Sequence, residues 1–184
     1  LLTKVFFTLG HPGETYAEAR ATNRFIRRNR RRIRLIAYHA GVRVYPGTCF
    51  IEGTTLSEGR GTSKPFETFG APYVDADALA EALNLAAVPG ARWRPVHFVP
   101  TFSKHSGTPC HGCQLHITDR DAFRPVTAGV HLLCTLSAMY PSDFAWLPPF
   151  AEGRPPFIDV LAGSPALRES VDAGVPADGI VASW

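Results

Sequence analysis

The sequence predicts an α/β fold of the α+β type, in which helices pack against a mixed sheet. Its 184 residues are 45% apolar and 19% charged, a balance typical of a globular chain that buries a core. From residue 46 onward the patterns follow the order strand, loop, helix, strand, loop, strand, helix, helix. With 16 glycines and 16 prolines, we expect many loops between these elements. No apolar run is long enough to predict a membrane-spanning helix.

The charge distribution divides the chain near Val44. Residues 1–45 hold ten basic and two acidic residues, whereas residues 46–184 hold nine basic and 14 acidic ones. Eight of the basic side chains are arginines between Arg20 and Arg34, where a helix over Tyr16–Ala37 would bring like charges together. Such a run is compatible with a nucleic-acid surface, but its neighbours predict no nucleic-acid-binding fold. We therefore expect no nucleic-acid partner, and a loosely attached segment that proteases cut first.

The first predicted elements follow this division. Thr48–Ile51 is a short apolar, β-compatible run and is predicted to be a strand. A loop rich in glycine, serine and threonine follows over Gly53–Ser63. Asp75 is a candidate N-cap for a helix that reaches about Ala87, because apolar residues recur there at helical spacing. Pro89-Gly90 should end that helix.

Two further strands are predicted in the middle of the chain. Arg92–Phe102 alternates between polar and apolar residues and is rich in valine and aromatic side chains. A loop over Ser103–Gly112 then leads to a second strand at Gln114–Thr118.

The remaining elements are helical. Pro125 fits the first position of a helix that reaches Tyr140 and carries an apolar stripe. A proline-rich connector over Pro141–Pro156 follows. Ser164-Pro165 opens a short helix, and Asp178 is a candidate cap for a helix near the end of the chain.

The segment from Glu52 to Gly70 holds the densest set of chemically useful residues. It reads EGTTLSEGRGTSKPFETFG, in which glycines allow a close approach of backbone amide groups to a ligand. Glu52 and Glu58 flank the glycine-rich part, and two carboxylates are what glycoside hydrolysis requires. Arg60 can hold an anionic group with two hydrogen bonds. The alternative is a surface loop whose glutamates form local caps and ion pairs.

Other candidate motifs are weaker. The glycine spacing matches neither a P-loop nor the dinucleotide-binding motif. Cys110 and Cys113 form a C-x-x-C with His105 and His116 nearby, but a second pair of ligands at zinc-finger spacing is missing. We expect an incidental cysteine pair and no structural zinc. His131 lies in a mostly apolar helix and is interpreted as a core or rim residue.

Three long strings resemble one bacterial family. They are VYPGTCFIEGTTLSEGRGTSKPFETFGAPYVDA from Val44, RPVHFVPTFSKHSGTPCHGCQLHITDRDAFRPV from Arg94, and PPFIDVLAGSPALRESVDAG from Pro155. With the shorter matches FAW and IVASW, they resemble the NamZ-type exo-β-N-acetylmuramidases, formerly a domain of unknown function. The resemblance runs over about Val44–Trp184, roughly three quarters of the chain.

The resemblance implies a glycoside hydrolase that releases N-acetylmuramic acid from non-reducing ends of peptidoglycan during cell-wall turnover and recycling. Family members have a Rossmann-like amino-terminal domain and a smaller carboxy-terminal α/β domain, with the site in the cleft between them. Residues 44–184 match the smaller domain. The resemblance also implies a periplasmic or extracellular location, and we expect no membrane span in this chain.

We assign candidate roles on that basis. Glu52 and Glu58 are the candidate catalytic residues. The candidate substrate-binding residues are Arg60, Thr54, Ser57, Thr62, Ser103, Lys104 and His105. The lactyl carboxylate of muramic acid would give Arg60 or Lys104 an anionic target. We expect no cofactor and no metal, and the expected partners are muramic acid saccharides derived from peptidoglycan.

The chain departs from the family in three ways. Residues 1–43 do not resemble it, the Rossmann-like half is missing, and the sequence stops at Trp184 inside the expected last helix. The missing half holds the Pro-Glu-His-Gly segment whose glutamate is the favoured catalytic acid. A truncated or frame-shifted gene product would account for all three, with residues 1–43 out of frame or disordered.

We therefore expect this fragment alone to be weakly active or inactive. Two alternatives belong to other classes, namely a non-catalytic sugar or cell-wall binding module, and a nucleic-acid binder that uses Arg20–Arg34. The sequence leaves open whether hydrolysis retains or inverts the anomeric configuration, and what the oligomeric state is.

Overall fold

A computed structural model describes residues 47–183 of the protein. The chain divides into two units, Leu1–Arg43 and Val44–Trp184, and every described residue belongs to the second. The helix and the loose attachment expected before Val44 lie outside the described residues. The described elements are the 3₁₀ helix Cys49–Gly53, β1 (Thr68–Ala71), α1 (Ala76–Leu85), β2 (Ala91–Phe98), β3 (Cys110–Ile117), α2 (Pro125–Met139), α3 (Phe157–Ala162), α4 (Ala166–Asp172) and α5 (Ala177–Ala182).

The three described strands form an antiparallel sheet with β3 in the centre. The order is β1-β3-β2, and the pairing places Cys113 of β3 opposite Phe69 and Leu115 opposite Trp93. Side chains alternate between the two faces of a strand, so these four residues share one face. That face is buried against α1 and α2, and the Phe69 and Trp93 rings meet edge to face at 5.7 Å. The α/β fold class is confirmed.

Local signals explain the two longest helices. The Oδ1 atom of Asp75 accepts from the backbone N–H groups of Asp77 and Ala78 at 3.1 and 3.0 Å, as an N-cap should. Pro125 occupies the first turn of α2, where its missing N–H group has no partner to lose. Leucines of both helices are fully buried: Leu79 and Leu83 of α1, and Leu132, Leu133 and Leu136 of α2. The helices predicted from Asp75 and Pro125 are therefore confirmed.

The short helices cover the other side of α2. They enclose a second apolar cluster made of Cys49, Phe50, Val130, Leu133, Ile158, Leu167, Val171 and Ile180. The buried Asp159 of α3 accepts from Nε and Nη2 of Arg168 on α4 at 2.8 and 2.9 Å, which joins the two helices with a bidentate ion pair. Through this cluster α3 packs against the 3₁₀ helix, and so supports the segment that carries Glu52.

Several sequence-based boundaries were wrong. Thr48–Ile51 is not a strand; the chain there forms the 3₁₀ helix, because Phe50 and Ile51 are buried in two different clusters that a short helical turn can reach together. The second predicted strand, Gln114–Thr118, begins four residues earlier, at Cys110.

The chain end also needed correction. The helix predicted at Ser164-Pro165 is confirmed as α4, and helix α3 occupies a stretch that had no assignment. Asp178 lies in the first turn of α5, after the N-cap Pro176. His131 is a rim residue as expected, with Nε2 3.2 Å from Oδ1 of Asp178. Between residues 47 and 183 the helices are too short or too polar to cross a membrane.

Candidate functional site

Four charged side chains of alternating sign meet beside the 3₁₀ helix. Glu52 lies on that helix, Glu58 and Arg60 on the loop after it, and Lys104 on the loop between β2 and β3. Arg60 donates from Nη2 to Oε1 of Glu52 and from Nε to Oε1 of Glu58. The ammonium of Lys104 lies 2.9 Å from Oε2 of Glu58. We call these four residues the charge cluster.

The backbone around Glu58 is fixed by the sheet. Ser57 pairs with Gly70 of β1 through two hydrogen bonds of 2.8 and 3.0 Å, and the Glu58 carbonyl accepts from Phe66 N–H at 2.8 Å. Gly59 has φ of 70°, and a side chain there would clash with the Thr68 carbonyl. Only glycine therefore allows the loop to turn between Glu58 and Arg60 while staying close to β1.

The environments of the two carboxylates differ. Burial would raise the pKa of Glu58, but the charge of Lys104 and the hydrogen bonds from Lys104 and Arg60 outweigh burial and lower it. Burial raises the pKa of Glu52 against the attraction of Arg60, and the nearby Glu58 charge raises it further. Glu58 is thus held as an anion, whereas Glu52 is the carboxyl more readily protonated. Carboxyl pairs whose pKa values are pushed apart in this way are suited to acid and base roles.

The two cations are used to different extents. Lys104 donates to the carbonyls of Ile51 and Thr54 at 2.9 Å each, in addition to its contact with Glu58. Burial lowers the pKa of Lys104, against the charge of Glu58. The side chain of Arg60 is 35% exposed, and within residues 47–183 only two of its five N–H groups have acceptors. Arg60 is therefore the described cation of the cluster that still has donors to offer a ligand.

The side chains of most other predicted binding residues form hydrogen bonds with nearby backbone groups. The Thr54 hydroxyl donates to the Ile51 carbonyl at 2.8 Å, and the Thr62 hydroxyl donates to the Gly59 carbonyl at 2.7 Å. Ser57 Oγ accepts from Gly59 N–H at 3.2 Å. These contacts give Thr54, Ser57 and Thr62 a part in shaping the loop.

One neighbour of the cluster was missed by sequence reasoning. The guanidinium carbon of Arg60 lies 5.2 Å from the centre of the Phe66 ring, a cation–π contact. Phe66 also has φ of 66°, which is unusual for a bulky residue. The available signal was an aromatic residue shortly after an arginine in a glycine-rich loop.

The loop between β2 and β3 is strained where it meets the cluster. Ser103 and His105, on either side of Lys104, have φ of 67° and 56°. His105 Nε2 lies 2.9 Å from the carbonyl oxygen of Thr55. Non-glycine residues in this region of φ and ψ persist where surrounding contacts hold them, and they are frequent at functional sites.

We expect Ser103→Gly to stabilise the protein by about 0.5–1 kcal/mol, because glycine adopts positive φ without steric cost. Ser106→Gly is the matched control, since Ser106 has no positive φ and should lose a similar amount through the added freedom of the unfolded chain. Urea denaturation of the two variants measures both changes. Equal destabilisation by both would show that Ser103 is not strained.

The C-x-x-C pair is placed unfavourably for shared chemistry. Cys110 and Cys113 both lie on β3, and residues three apart on a strand point to opposite faces of the sheet. Burial raises the pKa of the Cys113 thiol to about 12, so it stays protonated at neutral pH. Across residues 47–183, histidine, cysteine and acidic side chains do not gather in threes that could hold a metal ion.

Two carboxylates with opposed pKa shifts and two cations thus form a charged centre on this α+β domain. Residues 43–184 match the family described as exo-beta-N-acetylmuramidase NamZ, C-terminal, and the chain belongs to that family. The resemblance read from the sequence is confirmed.

Two known proteins are similar to this chain. Over 141 residues it is 45% identical to the peptidoglycan beta-N-acetylmuramidase NamZ of Bacillus subtilis (strain 168), an alignment covering 77% of this chain and 33% of that protein. The crystal structure of a DUF1343 family protein from Bacteroides fragilis aligns with a TM-score of 0.62 and 26% identity, over 71% of this chain and 34% of that one. The chain thus spans about a third of the length of the curated relative it matches.

Proposed function

We infer that this chain forms part of a peptidoglycan glycosidase that releases N-acetylmuramic acid from non-reducing ends during cell-wall turnover and recycling. Family membership and the name of the Bacillus subtilis relative support this function. The charge cluster is the observation that carries it, because it gathers buried carboxylates beside a partly exposed arginine. The proposed substrates are muramic acid saccharides, and the proposed location of the whole enzyme is periplasmic or extracellular.

Within the cluster we give the carboxylates different roles. Glu58 is 2% exposed and pairs with both cations, so it serves as a fixed anion that orients Arg60. Glu52 contacts Arg60 alone among the described cations and has the raised pKa, which suits a group that exchanges a proton with substrate or water. Of the two, Glu52 is the one we propose to take part in acid–base chemistry.

Arg60 is the proposed anchor for the lactyl carboxylate that distinguishes muramic acid from glucosamine. Its guanidinium is oriented by Glu52 and Glu58 on one edge and packs against Phe66, which leaves its other edge for a ligand. A planar guanidinium edge matches the two oxygens of a carboxylate. An uncharged sugar has no group that would use this edge equally well.

The proposal is tested by comparing two sugars on the unaltered chain. We expect N-acetylmuramic acid to bind more tightly than N-acetylglucosamine, and Arg60→Ala to abolish a preference of about tenfold, since hydrogen bonds to charged groups contribute about 1.5–3 kcal/mol. Arg154→Ala, in an exposed loop, is the control and should retain the preference. Binding measured by NMR titration that is equal for both sugars would contradict the assignment of Arg60.

A non-catalytic sugar-binding module is the second candidate. It is favoured by one observation: Glu52 and Glu58 bind neighbouring N–H groups of the same guanidinium. Arg60 bridges the two carboxylates, whereas the carboxyl groups of a catalytic pair flank the sugar bond itself. Sugar binding without turnover, in both this chain and a full-length relative, would favour the module.

A further inference from the structure

The Lys104 ammonium is surrounded by oxygen atoms of the protein, since it donates to two backbone carbonyls and forms an ion pair with Glu58. A lysine ammonium carries three N–H donors. Three acceptors lie around the Lys104 ammonium at 2.9 Å each: the carbonyls of Ile51 and Thr54 and Oε2 of Glu58. Its side chain is 17% exposed. A sugar carboxylate that approached Lys104 would therefore compete with these three oxygens for a largely buried ammonium.

The three acceptors join two parts of the site. Ile51 lies in the 3₁₀ helix that carries Glu52, and Thr54 is the C-cap of that helix, whose N–H group donates to the Ile51 carbonyl at 3.0 Å. A cation at this end of a helix can accept no hydrogen bond but donates to such carbonyls, and it is attracted by their partial negative charge. The third acceptor, Glu58, lies on the loop that follows. One ammonium therefore links the Glu52-bearing helix to the Glu58 side chain.

The conformation of the loop that carries Lys104 places its side chain at the end of the 3₁₀ helix. Ser103 and His105 both have positive φ, so the backbone arches at Lys104. His105 reaches the carbonyl of Thr55 at 2.9 Å, next to the carbonyl of Thr54 that Lys104 binds. The base of the arch is closed by a 2.8 Å hydrogen bond from Gly107 N–H to the Pro100 carbonyl. Two consecutive side chains thus hold the end of the 3₁₀ helix.

We propose that Lys104 is a positioning residue, which ties the Glu52-bearing 3₁₀ helix to Glu58 and thereby sets the distance between the two carboxylates without binding the sugar itself. This assignment rests on the proposed function of the charge cluster. The sequence analysis predicts that Lys104 binds the carboxylate of the sugar, and this assignment gives it a different role. Of the two cations in the charge cluster, Arg60 then supplies the hydrogen bonds to the anionic group of the sugar.

The first test is spectroscopic and needs no substrate. In the unaltered chain, the Lys104 ammonium protons should exchange slowly enough for a 15N resonance to be seen at neutral pH, because the ammonium is largely buried, donates to two carbonyls and is paired with Glu58. Lys104→Met should raise the pKa of the Glu58 carboxyl by at least about one pH unit, since an opposite charge at this distance typically lowers a carboxyl pKa by 1–3.

The controls separate position from charge. Lys64→Met removes the exposed lysine that pairs with Glu67 at 2.9 Å, and it should leave the Glu58 titration unchanged. Lys104→Arg keeps the charge and should keep the Glu58 pKa below its ordinary value. If Lys104→Met does not fold, the proposal is tested by the ammonium resonance of the unaltered chain. A rapidly exchanging ammonium, or an unchanged Glu58 titration in a folded variant, would overturn the proposal.

The second test separates positioning from direct sugar binding. If Lys104 only positions the carboxylates, Lys104→Met should weaken N-acetylmuramic acid and N-acetylglucosamine by the same factor. If Lys104 holds the lactyl carboxylate, the preference between the sugars should fall to about one, and the proposal is wrong. A chain that binds neither sugar would contradict the proposed function alone, because the titration of Glu58 still tests the positioning role.

Discussion

Assayed by itself on a chromogenic N-acetylmuramic acid glycoside, this chain is expected to be at least about 10²–10⁴-fold slower than a full-length relative. That range is what loss of general acid catalysis typically costs. Glu52 and Glu58 are bridged by Arg60, and Glu58 is further paired with Lys104, so we expect them to bind these cations rather than flank a glycosidic bond. The resemblance places the favoured catalytic acid in the Rossmann-like half, and the chain spans about a third of its curated relative.

The same assay on a full-length relative tests the cluster. Changes at the positions of Glu52, Glu58 and Arg60, to glutamine, glutamine and alanine, should each lower turnover. The position of Glu67, in an exposed ion pair outside the cluster, is the matched control for a carboxylate-to-amide change. Comparable turnover by the chain and the relative would make Glu52 and Glu58 the catalytic pair. Three neutral substitutions would leave the loop with a structural role only.

Glu58→Gln is expected to lower the free energy of unfolding by about 3–5 kcal/mol at neutral pH. The change keeps the shape of the side chain but leaves the largely buried Lys104 and the Arg60 guanidinium without their shared counter-charge, and breaking a buried ion pair from one side has this cost. Glu67→Gln should cost no more than about 1 kcal/mol, because its partner Lys64 is exposed. Urea denaturation of both variants measures the difference, and similar small losses would contradict it.

The pH dependence of that loss has a definite sign. The pKa of Glu58 is lowered in the folded protein, so its contribution to stability is present above the ordinary glutamate value of 4.5. The contribution is lost as the pH falls from there through the lowered value. Glu58→Gln should therefore approach the unaltered protein in stability under acidic conditions. A difference that stays constant from neutral to acidic pH would assign the loss to packing.

Local chemistry made much of the fold predictable. The cap at Asp75, the proline at Pro125 and the apolar spacing that follows each of them depend on neighbours within one or two helical turns. The prediction failed at Thr48–Ile51, where β-compatible residues form a 3₁₀ helix. Propensity is a weak signal for so short a run, and burial against distant parts of the chain decided its conformation.

The same division applies to the candidate site. The sequence by itself determined the family, the glycine-rich loop, and the residue types that the site brings together. Only the tertiary structure decided that Lys104 faces Glu58, 46 positions earlier in the chain, and that Cys110 and Cys113 face opposite sides of β3. It also decided that burial and pairing push the pKa values of Glu52 and Glu58 in opposite directions. Burial and ion pairing depend on contacts between distant segments, and a single sequence encodes these only through the completed fold.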